Sequence, residues 1–178
     1  MSFLSRLFSS EPNVTPEDRS AALAYLVQLN ALRALQDDEA AKHNRVLAKY
    51  GGSLTPGGDG LRQVAEAAAH MAQTNSDIVR RYSALSQIPD VAGQCYFAWS
   101  MCWLLLEEWS SRAAAAYEGM YEGALPPAGD IQQLLAEEAR ARHAAEKEEG
   151  KLLKRLGVSA EEARRLIEEG ERVARSGS

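Results

Sequence analysis

With 178 residues, 46% of them hydrophobic and only 7% aromatic, the chain is long enough to bury a sizeable core as one domain. Its net charge of −5, with no basic block, argues against a nucleic-acid partner, whose phosphates it would repel. The two cysteines, Cys95 and Cys102, fall two turns apart on one predicted helix, about 10 Å between Cα atoms, too far for a disulfide, so a reducing cytoplasm is the simplest setting.

The first ten residues, MSFLSRLFSS, put Phe3, Leu4, Leu7 and Phe8 on one side of a two-turn helix. They lack the apolar run and cleavage site of a secretory signal. A helix this short is unstable alone and must dock on something to order. One arginine and four apolar side chains give weak lipid insertion. Protein docking, in cis or in trans, is therefore the preferred expectation, with a weak peripheral membrane contact through residues 1–10 as the lesser one. Residues 1–14 are read as this segment and its linker.

Thr15 is an N-cap, Pro16 suits the first helical position, and Glu17 and Asp18 favour the first turn, which starts a helix running to about Tyr50. Its apolar first half, Ala21 to Leu35, gives way to the polar QDDEAAKHNR, so the later half is expected to project or pack loosely. The YGGSLTPGGDG stretch stops it, and Asp59 is placed to cap a second helix reaching roughly Gln87. There Leu61, Val64, Ala68, Met71, Asn75, Ile78, Tyr82 and Leu85 repeat at three and four residues, a stripe with one polar break.

Pro89 and Asp90 open a third helix ending between Gly119 and Gly123. Asp130 with Gln133 resembles a capping box for a fourth, which Leu156-Gly157 ends. Ser159 with Glu162 opens a fifth, fraying near Ala174. From 130 to 178, 21 of 49 residues are charged, ten basic and eleven acidic, which reads as a solvated face held by i,i+4 pairs. No strand pattern competes. The sequence predicts an all-α, up-and-down bundle: four long helices over residues 15–156, plus a shorter charged C-terminal fifth helix and tail over 157–178.

The third helix holds every tryptophan and both cysteines, in CYFAWSMCWLLLEEW. Sixteen uncharged residues, Val91 to Leu106, fall short of the ~20 that a membrane span needs, and Glu107-Glu108 follow at once. One stripe carries Cys95, Trp99, Cys102, Leu106 and Trp109. A second face carries Phe97, Met101 and Leu104, and a third Tyr96 and Trp103. A helix apolar on every side must be surrounded, either by its own bundle or by another chain. Because four helices rarely enclose one of their own members, Tyr96, Phe97, Trp99, Trp103, Leu106 and Trp109 are taken as the candidate interface; aromatic side chains of this kind dominate binding hot spots.

Catalytic motifs are not found: there is no Walker loop, no G-x-S-x-G, no C-x-x-C and no Gly-rich dinucleotide turn. His43 and His70 each follow a carboxylate by four residues, Glu39 and Glu66, whereas di-iron bundles use Glu-x-x-His at spacing three. His143 and His43 lie in highly charged stretches and are expected at the surface. These five residues are weak metal candidates, and no metal or cofactor is assigned. Glu146, Glu149, Glu168 and Glu171 make two E-x-x-E pairs that resemble the Mg²⁺ sites of helical nucleotide pyrophosphohydrolases, but without the aspartate and among glutamates dense enough to pair by chance. The expectation is a non-enzymatic interaction module, an adaptor, accessory subunit or scaffold, forming a homo-oligomer or a hetero-complex through its third helix. The alternative is a ligand- or metal-binding bundle with sensory or enzymatic function.

Overall fold

A computed structural model describes residues 14–85, 88–124 and 130–176. The described residues form five α-helices: α1 (Pro16–Tyr50), α2 (Asp59–Ser83), α3 (Gly93–Tyr121), α4 (Asp130–Arg155) and α5 (Ala160–Ser176), with 3₁₀ turns at Gly51–Ser53 and Asp90–Ala92. Helix starts follow local chemistry. The Asp18 N–H donates to Thr15 Oγ1 at 3.0 Å, and the Glu162 N–H to Ser159 Oγ at 3.2 Å. Gly58, not Asp59, is the N-cap of α2. Asp90 begins the 3₁₀ turn rather than capping α3, which starts three residues later without a side-chain cap. Gly157, at φ +65°, ends α4 in the left-handed conformation that glycine adopts without strain. α2 stops at Ser83, and the expected end at Gln87 lies outside the described residues.

The helices make an up-and-down bundle. Tyr25 and Glu39 of α1 meet Tyr82 and His70 of α2, so partner numbers fall as chain numbers rise, the mark of an antiparallel pair. Tyr82 stacks on Tyr96, and the Gly57 N–H reaches the Tyr121 carbonyl, which sets α2 against α3 in the same sense. Cys102 and Trp99 of α3 meet Glu138 and Glu149 of α4. α5 instead runs parallel to α1, with Glu162 on Arg19 at the start and Gly170 against Asn30 and Ala31 further along. Arg19 also donates to the Leu156 carbonyl, and so ties the α4–α5 turn to the first turn of α1.

The core draws on four helices: Tyr25, Leu26 and Leu29 from α1, Ile78 and Tyr82 from α2, Trp99 and Trp103 from α3, and Ala145 and Leu152 from α4, with Leu156 just past its end. The α2 stripe lies where its spacing puts it, with seven of its eight members buried and Leu85 partly so.

The later half of α1 corrects the sequence reading. Gln36, Glu39 and His43 are buried, so this half packs instead of projecting. They continue Leu29 and Leu32 at spacings of four, three and four, so the inward stripe persists after its residues turn polar. α4 likewise turns Glu138 and Glu149 inward, among residues expected to make a solvated face. Glu138 pairs with Arg142 at 2.7 Å, and Glu149 with Arg33 at 3.2 Å.

Candidate interaction surface on the third helix

α3 has two faces of different character. Inward lie Cys95, Trp99, Cys102, Trp103, Leu106, Ser110 and Ala113, all buried within this chain. The Trp99 ring sits 5.3 Å from that of Trp103, with the Arg33 guanidinium 5.1 Å from its centroid, and its Nε1–H donates to Glu149 Oε2 at 3.2 Å. Burial raises the Glu149 carboxyl above the usual carboxylate range, while Arg33 and the Trp99 bond oppose the rise. Near the start of α3, Tyr25 and Tyr82 share a 2.6 Å hydroxyl bond, Tyr82 donates to the Tyr96 carbonyl at 3.2 Å, and the Tyr25 hydroxyl lies 3.6 Å from Cys95 Sγ. Burial pushes both cysteine thiols up to about 12 and raises both tyrosines well above their ordinary range. Those thiols are poor nucleophiles at neutral pH.

Outward, α3 presents Phe97, Met101 and Leu104, exposed to 65%, 44% and 48%. Their spacing of four and three aligns them along one ridge of about 10 Å. Past it the helix surface turns polar, with the Glu108–Arg112 ion pair one turn beyond Leu104. Of the six residues singled out by sequence, Trp99, Trp103 and Leu106 are buried by the chain's own helices, and Tyr96 and Trp109 are partly buried. Only Phe97 stands open. Met101 and Leu104 complete its ridge. Their shared spacing was readable, but which apolar face points outward depends on where the other helices lie. Phe3, Leu4, Leu7 and Phe8 lie outside the described residues.

The histidine candidates divide among different environments. His43 is buried against α2 and α3, with its ring 6.4 Å from Tyr117 and its Nδ1 without a hydrogen-bond partner. This overturns its expected surface position, because its place on the inward stripe outweighs the charge of its neighbours. The exposed His70 reaches across to Glu39 Oε1 at 2.6 Å, whereas Glu66 pairs with Arg62 and His143 is exposed. Among the described residues, no group of three or more His, Cys, Asp or Glu side chains is placed to hold a metal ion. Glu149 faces inward while Glu146 and Glu168 are exposed and Glu171 is partly so, so the two E-x-x-E pairs do not converge on one inward site.

Sequence reasoning also missed a set of buried polar atoms without hydrogen-bond partners: both amide atoms of Asn75 and the indole nitrogens of Trp103 and Trp109. Asn75 was visible as the polar break in the α2 stripe, but its lack of a partner is a property of the packing. Among the described residues no helix is long and apolar enough to cross a membrane. Comparison with protein families, with curated proteins and with solved structures finds no match.

Proposed function

We propose that the chain is a non-enzymatic helical interaction module that assembles through the outer ridge of α3. The observation that supports this is the exposure of Phe97, Met101 and Leu104 in line on a helix whose other apolar residues from Cys95 to Leu106 are buried or partly buried. Three part-exposed side chains offer on the order of 300 Å², against about 800 Å² per partner in a standard interface, which fits a short amphipathic helix better than a globular face. Such a helix would bring two or three apolar side chains at i, i+3 or i+4 to pack along the ridge. In this reading Trp99 and Trp103 hold α3 rigid from within, and the partner touches neither. A reducing compartment, the cytoplasm, would keep Cys95 and Cys102 as thiols.

Size-exclusion chromatography with light scattering tests the reading. The wild-type chain should be a dimer or larger, and Met101→Glu should be monomeric with unchanged helical circular dichroism. A wild type that stays monomeric at every accessible concentration would sink the proposal, as would assembly that Met101→Glu leaves untouched.

A further inference from the structure

The size of the ridge and the sequence outside the described bundle together name an occupant. This step rests on reading the α3 ridge as a docking surface. Taken up as a helix on docking, the stripe of Phe3, Leu4, Leu7 and Phe8 would span about 7.5 Å, within the ~10 Å of ridge from Phe97 to Leu104. One segment seated on one ridge would bury roughly 300 Å² on each side, about 600 Å² in all, below the 1,200–2,000 Å² of stable specific interfaces. Two such contacts, related by exchange between two chains, reach about 1,200 Å².

Reach favours exchange over a contact within one chain. α1 and α3 run in the same direction, so Val14 and Phe97 lie towards the same end of the bundle. Val14 leads into α1, however, and α2 packs between α1 and α3, so the two residues sit at diagonally opposed helices. Axes of neighbouring helices 8–10 Å apart put a diagonal pair about 13 Å apart, and Phe97 stands roughly 6 Å outside its own axis. The straight line is therefore about 19 Å, and Ser9–Val14 fully extended spans about 20 Å. Val14, Ile88 and Val91 pack against the core at this end, and the α4–α5 turn is tied to α1 by Arg19. A detour of more than about 1 Å from the straight line exceeds the linker's reach, whereas the ridge of an adjacent chain carries no such restriction.

We infer that the segment carrying Phe3, Leu4, Leu7 and Phe8 docks on the Phe97–Met101–Leu104 ridge of a second copy, reciprocally, so that each chain of a two-fold dimer completes the other's surface. A partner helix of similar pattern would compete for the same ridge.

The test uses the full chain with Phe8→p-benzoylphenylalanine, mixed one to one with its ¹⁵N-labelled form and irradiated. The expected product is a hybrid-mass dimer whose cross-link maps to residues 97–104. Its yield should fall about tenfold or more with Met101→Glu, in line with the loss of one buried methionine side chain. Phe3→Ser with Phe8→Ser should release monomers by light scattering. A cross-link inside one chain, one mapping away from the ridge, or no photoproduct from an assembled sample each overturns the inference. If assembly persists in the Phe3→Ser, Phe8→Ser chain but is lost with Met101→Glu, the segment is wrong and the docking surface stands. If Met101→Glu leaves assembly intact, the docking surface itself is wrong.

Discussion

Gly170 carries the most demanding prediction, because it sits where α5 packs directly on the backbone of α1. A Cβ built there would lie 2.6 Å from the Asn30 Cβ, 2.8 Å from the Ala31 backbone nitrogen and 2.9 Å from the Asn30 carbonyl carbon. Two of these neighbours are backbone atoms of a long helix and cannot swing aside, so α5 must move outward. Gly170→Ala therefore sets two effects against each other. Alanine is the better helix former by about 1 kcal/mol, while overpacking a closed contact costs about 1–3 kcal/mol. Gly150 is an internal control: it lies within α4, is exposed, and an added Cβ meets nothing within 4 Å. Gly150→Ala should gain about 1 kcal/mol with no clash. The two variants share the propensity gain, so their difference isolates the close approach: Gly170→Ala should be about 1–3 kcal/mol the less stable. At about 2–4 °C per kcal/mol for a chain of this size, its thermal midpoint should fall several degrees below that of Gly150→Ala. Melting followed by circular dichroism measures this, with loss of α5 helicity expected first. Equal midpoints would refute the close crossing.

Other perturbations follow from burial. Trp103→Ala removes a side chain with 1% exposure and should cost about 3–5 kcal/mol, whereas the exposed Phe97→Ser should change the unfolding free energy of the monomer by no more than about 0.5 kcal/mol; urea titration separates them. Cys95 and Cys102, buried and with thiols pushed up to about 12, should resist an aromatic disulfide reagent at pH 7.5 until denaturant is added, and prompt labelling of both would contradict their placement. Burial holds the His43 imidazole below its ordinary range, with the Ala67 carbonyl and Glu39 opposing. The unfolded chain then binds more protons below about pH 6.5, so this residue's contribution is complete above that pH and is lost as pH falls towards the folded pKa. Between about pH 7.5 and 5.5 the stability of His43→Phe should therefore fall less steeply than that of the wild type, and parallel profiles would refute the buried neutral ring.

Much of the fold was legible because it rests on local chemistry. The Thr15 cap, Pro16, the Ser159 cap and Gly157 act within one or two turns of themselves, so the ends of α1, α4 and α5 could be placed from neighbouring residues. The α2 stripe was equally plain, since apolar residues at spacings of three and four have to share a face. Where the residue type misled, the spacing was still correct. Glu39 and His43 keep the register of Leu29 and Leu32, but a charged residue reads as exposed until the structure supplies its partner.

What the tertiary structure alone decided is which of two equally apolar faces of α3 is covered. Composition and period treat Trp99 and Phe97 alike, since both lie on a stretch that is apolar all round. α1, α2 and α4 close over Trp99 and Trp103, and leave Phe97, Met101 and Leu104 outside. The inward pairing of Glu149 with Arg33, 116 residues away in sequence, and the approach of Gly170 to Asn30 are decided the same way. Each depends on distances between helices, which no spacing along a single helix encodes.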